Sequence, residues 1–239
     1  MSYGRIGVIG AMDSELAALI AALAQPARET VQGLAFHTGR LGAREVVLVR
    51  CGIGKVSAAR CTQVLIDRFA PAAVINTGIA GGLGVGLAVG DIVVADGLVQ
   101  HDFDAAPIGF VRGCLCMGDP GAPTVFTPDE PLSALLARAA GDAAGAQRVH
   151  RGLIATGDQF ISGAAAKAAI RSAFPSAMAA EMEGGAVAQA ASMSGVPFAV
   201  VRAISDLADG TAAASFEQFE QHAADVSAAA VLQALALLD

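Results

Sequence analysis

The chain has 239 residues, of which 54% are hydrophobic and 15% are charged, and its 15 basic and 22 acidic residues give a formal net charge of −7. This composition excludes intrinsic disorder, which needs low hydrophobicity and high charge. The acidic balance argues against a nucleic-acid partner, which binds through a basic face, and no apolar run approaches the ~18 residues of a membrane span. The length favours a single domain over residues 1–239.

The predicted elements alternate between short apolar strands and helical patterns. In chain order they are a strand over 6–9, a helix over 13–24, a strand over 46–49, a helix over 55–69, strands over 73–75, 92–95 and 153–156, a helix over 164–173, an extended piece over 177–180, a helix over 185–194 and a strand over 198–204. A capping-box pattern at residues 215–218 predicts a terminal helix that begins there and runs to about Leu238.

Strands that are apolar on both faces and separated by helices are typical of a sheet covered on both sides. We therefore expect an α/β fold of three layers, with a twisted mixed, largely parallel sheet flanked by helices. Residues 101–127 are the least regular part of the chain, and we expect them to form a long functional loop or an interface segment.

The cysteines and the first apolar run indicate the compartment. The four cysteines contain no C-x-x-C pair, and a chain of this length needs no disulfide framework. The first apolar run is interrupted by Asp13 and Glu15, so it lacks the core of a signal peptide. These features favour a reducing, cytoplasmic location.

Acidic side chains follow several predicted strands, at the edge where ligands bind in open α/β sheets. They are Glu15, Asp158, Glu181, Glu183 and Asp206. Most of these positions also have a simpler explanation. Glu15 would suit compensation of a helix dipole, Glu181 and Glu183 a solvated helix start, and Asp206 a helix cap.

The sequence favours neither a metal site nor a known nucleophile motif. Residues 52–55 fall short of G-x-G-x-x-G and of the Walker motif, so they suit tight turns better than a phosphate cradle. Residues 78–82 suit a close approach of backbone to a flat ligand. The four histidines are scattered, Cys114 and Cys116 lack zinc-site spacing, and there is no G-x-S-x-G elbow. We expect no metal.

Seven segments occur together in order: IGAM followed by Glu15, GIGKV at 52–56, NTG and AGG within 76–82, GDIVV at 90–94, GD and FI within 157–161, EME at 181–183 and VRAISD at 201–206. In register they resemble the bacterial 5′-methylthioadenosine/S-adenosylhomocysteine nucleosidases of the nucleoside phosphorylase superfamily. The resemblance runs from about residue 5 to about residue 220. Single segments are weak signals, but seven in register are specific.

The resemblance implies a homodimer that hydrolyses the N-glycosidic bond of methylthioadenosine and S-adenosylhomocysteine and releases adenine. Glu15 would activate water, Asp206 would protonate N7 of adenine, and Glu183 would bind the ribose hydroxyls. Residues 101–123 would lie near the neighbouring subunit's active site. Phe160 would stack on the base, and the backbone of Ile161 would read its edge. Met182 would pack beneath the sugar, Arg202 would help hold the water and Glu15, and Ser205 would orient Asp206. The other residues implied in substrate binding line the pocket: Ala11, Met12, Ile53, Ala80, Gly81 and Glu181. The resemblance also implies that no cofactor is needed.

These residue types suit the chemistry. Breaking an N-ribosyl bond builds positive charge on the sugar, which nearby carboxylates stabilise. An acid at Asp206 requires that burial raise its pKa from the usual ~3.9. A base at Glu15 must stay ionised, which a helix N-terminus favours.

Two positions depart from the family pattern. Ile79 stands where many nucleosidases have serine, and Ile108 stands where an aromatic residue usually precedes Gly109. The 5′ substituent is therefore less well defined than the adenine and ribose. The alternatives are a nucleosidase for another 5′-modified adenosine such as aminodeoxyfutalosine, a purine nucleoside phosphorylase, and a nucleoside-binding module without turnover. The carboxylate of Glu15 argues against the phosphorylase, because it would repel phosphate.

Overall fold

The computed structural model describes residues 4–116, 118–143 and 148–238. The strands are β1 (Ile6–Gly10), β2 (Ala24–Val31), β3 (Leu34–Leu41), β4 (Arg44–Arg50), β5 (Ala73–Gly82), β6 (Ile92–Gln100), β7 (Val125–Phe126), β8 (Val149–Thr156), β9 (Ala177–Glu181) and β10 (Phe198–Asp206). The helices are α1 (Asp13–Ala21), α2 (Lys55–Phe69), α3 (Glu130–Ala143), α4 (Ala164–Ala173), α5 (Gly184–Met193) and α6 (Ala212–Leu237).

The strands form one sheet, and one end of it curls into a ring. Neighbouring strands follow the order β2-β3-β4-β1-β5-β9-β8-β6-β10, β10 returns to pair with β5, and β7 pairs with β6. Across the described residues five strand pairs are parallel and five are antiparallel. The predicted mixed sheet is confirmed, but parallel pairs do not outnumber antiparallel ones, because the β2–β3–β4 meander adds two antiparallel pairs.

Alternate strand residues pack into apolar layers on opposite faces of the sheet. In β4, Val47 and Val49 join a cluster with residues of α2 and α5. Val46 and Leu48 join a second cluster with residues of α1, α3 and α6. This follows from the two-residue period of a strand, and it confirms the predicted covering of both faces by helices.

The parallel strands bring distant segments of the chain to one edge. β5 pairs in parallel with β1 on one side and with β10 on the other. Their carboxyl ends therefore lie side by side. The segment after β1 carries Glu15, the end of β5 carries residues 78–82, and β10 ends at Asp206.

Several predicted boundaries differ from the structure. α1 ends at Ala21 rather than at Ala24, which begins β2, and the β2–β3 hairpin and α3 were not predicted. The predicted capping box is wrong: α6 begins at Ala212, so Ser215 lies inside the helix. Between residues 101 and 127 the described part contains only a 3-10 turn over Ala106–Ile108 and the short β7, in line with the predicted irregular segment.

The cysteines Cys51, Cys61, Cys114 and Cys116 are all free. Of the helices in the described ranges, none has the length and apolar character needed to cross a bilayer.

Candidate active site

A cleft of about 620 Å³ opens at the carboxyl ends of β1, β5 and β10. Thirteen of the fourteen predicted site residues line it, so the structure brings together side chains from separate strand ends. The exception is Arg202, which lies beneath the cleft. Four further lining residues were not among the predicted site residues: Ile79, Gln159, Ala180 and Phe216.

Glu15 is held by backbone N–H groups. It is 4% exposed, and its Oε2 accepts hydrogen bonds from the N–H of Ala11 at 2.6 Å and of Met12 at 3.0 Å. Its Oε1 accepts from the N–H of Ile79 at 3.1 Å. Glu15 therefore caps the start of its own helix and also faces the cleft. Gly78 must lack a side chain, since a Cβ there would stand 2.4 Å from Oε1.

The electrostatics of Glu15 differ from the sequence expectation. Burial raises the pKa of Glu15, and this effect outweighs the nearby charge of Arg202 and the three N–H donors, which lower it. The helix N-terminus therefore only moderates the pKa. A carboxylate with a raised pKa that is still ionised is a stronger base, which suits proton abstraction from water.

Arg202 forms a buried ion pair with Glu181. Its Nη2 lies 2.6 Å from Glu181 Oε2, and each side chain is 2% exposed. Nη1 donates to the carbonyl oxygens of Asn76 and Val201, at 3.3 and 3.1 Å. Arg202 makes no hydrogen bond to Glu15 and acts on it only through charge. Its implied contact with the attacking water stays a prediction.

Glu181 lines the cleft, but its acceptors are largely occupied. Besides Arg202, the Thr156 hydroxyl donates to Oε1, and the N–H groups of Glu183 and Gly184 donate to Oε2 at 3.0 and 2.7 Å. Burial would raise the pKa of Glu181, but Arg202 and these donors outweigh it and lower the pKa. Glu181 is thus the ionised partner of Arg202.

Glu183 has the opposite character, although it lies only two residues away. Its Oε1 accepts a hydrogen bond from the N–H of Gly54 at 2.8 Å. Burial and the adjacent charge of Glu181 raise the pKa of Glu183 to about 8. The raised pKa favours the protonated form of this carboxyl. The Gly54 N–H belongs to the turn that was considered for phosphate binding, but it donates to a protein carboxyl.

Asp206 is buried at the end of β10. Its Oδ2 accepts from the Ser205 hydroxyl at 2.9 Å, and its Oδ1 accepts from the N–H of Ala208 at 2.8 Å. Burial raises the pKa of Asp206 despite both donors, which is the direction that an acid requires. Gly81 lies against it, since a Cβ there would be 3.0 Å from Oδ1.

Two aromatic rings form one side of the cleft. Phe160 and Phe216 pack edge to face with ring centroids 5.5 Å apart, and Phe160 remains 47% exposed. Phe216 comes from α6, and its sequence neighbourhood resembled a helix cap, so nothing nearby pointed to the cleft. Such an aromatic wall suits a flat ring.

An ion-pair network ties three segments together at the mouth of the cleft. Lys55 Nζ lies 2.5 Å from Asp102 Oδ1, and Asp102 Oδ2 accepts from the N–H of Asp158 at 2.8 Å. Asp158 Oδ1 in turn accepts from the N–H of Lys55 at 2.8 Å. The start of α2, the segment after β6 and the turn before Phe160 are thereby joined.

Residues 4–116, 118–143 and 148–238 contain no group of three or more His, Cys, Asp and Glu side chains that could hold an ion.

Comparisons with known proteins cover nearly the whole chain. A model of the phosphorylase superfamily matches residues 5–236. The 5′-methylthioadenosine/S-adenosylhomocysteine nucleosidase of Actinobacillus succinogenes is 42% identical over 235 residues, which are 98% of this chain and 100% of that protein.

Solved structures are also similar to the chain over nearly its whole length. The Streptococcus pyogenes S-adenosylhomocysteine nucleosidase in complex with 5-methylthiotubericidin has a TM-score of 0.92 at 40% identity, covering 100% of this chain and 99% of that one. A futalosine hydrolase mutant from Helicobacter pylori is also similar, with a TM-score of 0.88 at 31% identity, covering 97% of this chain and 98% of that one.

Proposed function

Because the chain belongs to the phosphorylase superfamily, we propose that it hydrolyses the N-glycosidic bond of 5′-methylthioadenosine and S-adenosylhomocysteine, releasing adenine and a 5-thio-ribose product. The relative from Actinobacillus succinogenes carries this activity in its name. The observation that most supports the proposal is the presence of Glu15, Glu183 and Asp206 in one cleft. Residues 1–239 would act as one catalytic unit without metal or cofactor.

Asp206 acts as the acid. The adenine anion is a poor leaving group, so N7 must gain a proton or a strong hydrogen bond as the bond to C1′ breaks. Burial raises the pKa of Asp206, which favours the protonated form that an acid needs, and the donors from Ser205 and Ala208 fix the orientation of its carboxyl. An acid of this kind contributes about 10²–10⁴-fold to a rate.

Glu15 acts as the base toward water. It is buried, its backbone donors hold it rigidly, and its charge also stabilises the positive sugar of the transition state. Ile79 replaces a hydroxyl found in many nucleosidases, but its backbone N–H still donates to Glu15. Water is therefore positioned by the carboxylate rather than by a side chain at residue 79.

Glu183 and Met182 bind the ribose. Glu183 uses one oxygen to accept from Gly54, so its other oxygen is free to bond a sugar hydroxyl. The raised pKa allows this oxygen to donate a proton in the hydrogen bond as well as to accept one. Met182 offers an apolar surface beneath the sugar, and Phe160 and Ile161 offer the stacking surface and backbone edge for adenine.

Two other reactions of the superfamily fit less well. A phosphorylase needs cations around phosphate, but no Lys or Arg lies among the described residues that line the cleft, and Glu15 would repel phosphate. A 5′-modified adenosine such as aminodeoxyfutalosine is the stronger second candidate, because the similar Helicobacter pylori protein is a futalosine hydrolase.

Adenine release separates these functions. The purified chain is incubated with methylthioadenosine, S-adenosylhomocysteine or aminodeoxyfutalosine, with and without phosphate, and adenine is measured by chromatography. We expect phosphate-independent release, fastest from the two thio-nucleosides. Strict phosphate dependence would support the phosphorylase, a preference for aminodeoxyfutalosine would support the second candidate, and tight binding without adenine would support a binding module.

We also propose a homodimer in the cytoplasm, with residues 101–123 near the neighbouring cleft and methionine salvage as the metabolic setting. In support, the apolar side chains of Ile53, Val56 and Ile108 are exposed, and the Lys55–Asp102 pair joins their segments. Light scattering at micromolar concentration tests the dimer, and a monomer mass would contradict it.

A further inference from the structure

Lys167 lies outside the cleft, yet it contacts the loop that carries the acid. It belongs to the first part of α4, and its Nζ donates to the carbonyl oxygen of Leu207 at 2.7 Å and to that of Gly82 at 2.8 Å. Leu207 directly follows Asp206, and Gly82 ends β5. Lys167 therefore joins two chain segments that meet at the acid.

The bond to Leu207 reaches Asp206 through a single peptide group. The carbonyl of Leu207 and the N–H of Ala208 belong to the same planar unit. Lys167 holds its oxygen at one end, and Asp206 Oδ1 accepts from its N–H at 2.8 Å at the other. Fixing the carbonyl direction thus fixes the N–H that orients the carboxyl.

The backbone at this point needs such support. Ala208 has a φ of +50°, a left-handed conformation that is unfavourable for residues other than glycine. The ladder between β5 and β10 is also irregular between Ile204 and Asp206. Strand pairing alone therefore does not hold the acid in place.

The ammonium of Lys167 also acts on Asp206 through its charge. Burial raises the pKa of Asp206, the neighbouring carboxylate of Asp209 raises it further, and the ammonium of Lys167 lowers it. Burial lowers the pKa of Lys167, as does the nearby Arg171, while Asp209 and Asp206 raise it.

We propose that Lys167 is a positioning residue for the acid: by bonding the Leu207 carbonyl it holds the 207–208 peptide, and through it the carboxyl of Asp206, in the orientation that meets N7 of the purine. This inference rests on the proposed nucleosidase function. Lys167 itself does not touch the substrate, and it belongs to none of the seven segments that carry the family resemblance.

The test compares Lys167→Met with Lys167→Arg and with a matched control, Arg171→Met, which removes a cation one turn further along α4. kcat and KM for adenine release are measured across pH, with a thermal melt for each variant. We expect Lys167→Met to lower kcat by at least ~10-fold with KM within about threefold, because a displaced acid impairs the chemical step.

The pH profile carries a second expectation. In Lys167→Met the ammonium is lost and the Ala208 N–H is a weaker donor, so the carboxyl of Asp206 keeps its proton to higher pH. The basic limb of the kcat profile therefore shifts to higher pH. Lys167→Arg, which still offers two donors and a charge, recovers most of kcat and the wild-type limb. Arg171→Met stays within about twofold of wild type, since its side chain does not bond the 207–208 peptide.

Three results would overturn the inference: wild-type kcat and pH profile in Lys167→Met, no recovery in Lys167→Arg, or an equal loss in Arg171→Met. If Lys167→Met does not fold, Lys167→Ala, which likewise removes the donors and the charge, replaces it under the same criteria. A wild-type chain that releases no adenine refutes the proposed function, and the positioning role with it. An active wild type with an unaffected Lys167 variant refutes the positioning role alone.

Discussion

Replacing Arg202 with Met should destabilise the fold strongly, because it leaves a buried carboxylate without its cation. Arg202 is 1% exposed, and its guanidinium lies 2.6 Å from Glu181. Breaking a buried ion pair from one side costs about 3–5 kcal/mol. For a domain of this size each kcal/mol lowers Tm by about 2–4 °C, so we expect a fall of roughly 6–20 °C.

A double-mutant cycle measures the pair itself. We expect the double variant Glu181→Gln/Arg202→Met to be more stable than the sum of the two single changes predicts, because it leaves no unpaired charge. Urea unfolding of the four proteins gives the coupling free energy. If Arg202→Met keeps the wild-type Tm yet loses adenine release, the ion-pair argument is refuted and Arg202 acts directly on the water or on Glu15.

Three further predictions follow from the site. Glu15→Gln and Asp206→Asn should each lower kcat for adenine release by at least ~10²-fold with little change in Tm; a near-normal rate in either variant would refute its role. The pKa of Glu183 rises from the ordinary 4.5 to about 8 on folding, so its contribution to stability is fully present below about pH 4.5 and is lost as pH rises towards 8. Urea unfolding across that window should show a steeper decline for wild type than for Glu183→Gln, and parallel slopes would contradict the raised pKa. Lys55→Met and Asp102→Asn should each raise KM more than they lower kcat, because each loosens the network beside the cleft. An unchanged KM in both variants would mean that the ion pair has only a structural role.

The core strands could be predicted because the apolar pattern that marks them lies in their own residues. β1 and residues 198–201 of β10 are apolar on both faces, and both strands are buried throughout, a pattern that excludes exposed or edge positions. β2 could not be predicted in this way, since it is mostly exposed and contains Pro26. Its pairing with β3, rather than its own sequence, makes it a strand.

The bounds of the helices were also only partly predictable from local sequence. Leu132, Leu136, Ala139 and Ala140 are buried at helical spacing in α3, and that period was a signal the sequence analysis left unused. The start of α6 gave a false signal, because the capping-box pattern at Ser215 lies one turn inside a helix that Thr211 already begins. Tertiary contacts decide such boundaries more than local caps do.

The candidate site was predictable as a set of residues, and the raised pKa of Asp206 was predictable in direction, but the opposite pKa shifts of Glu181 and Glu183 were not. The motifs placed Glu15, Glu183 and Asp206 at strand ends, and the structure puts them in one cleft. The difference between Glu181 and Glu183 depends on which of them Arg202 reaches, and that contact joins residues far apart in the chain. The contribution of Phe216 likewise requires α6 to fold back over the sheet.

The proposed mechanism is tested most directly by a crystal structure of the chain bound to a methylthioadenosine analogue that resists hydrolysis. We expect one Asp206 oxygen about 3 Å from N7 of the purine, a water between Glu15 and C1′ on the opposite side of the sugar from the base, and Glu183 at the ribose hydroxyls. A purine bound away from Asp206, or a sugar that Glu15 and Glu183 do not reach, would contradict it.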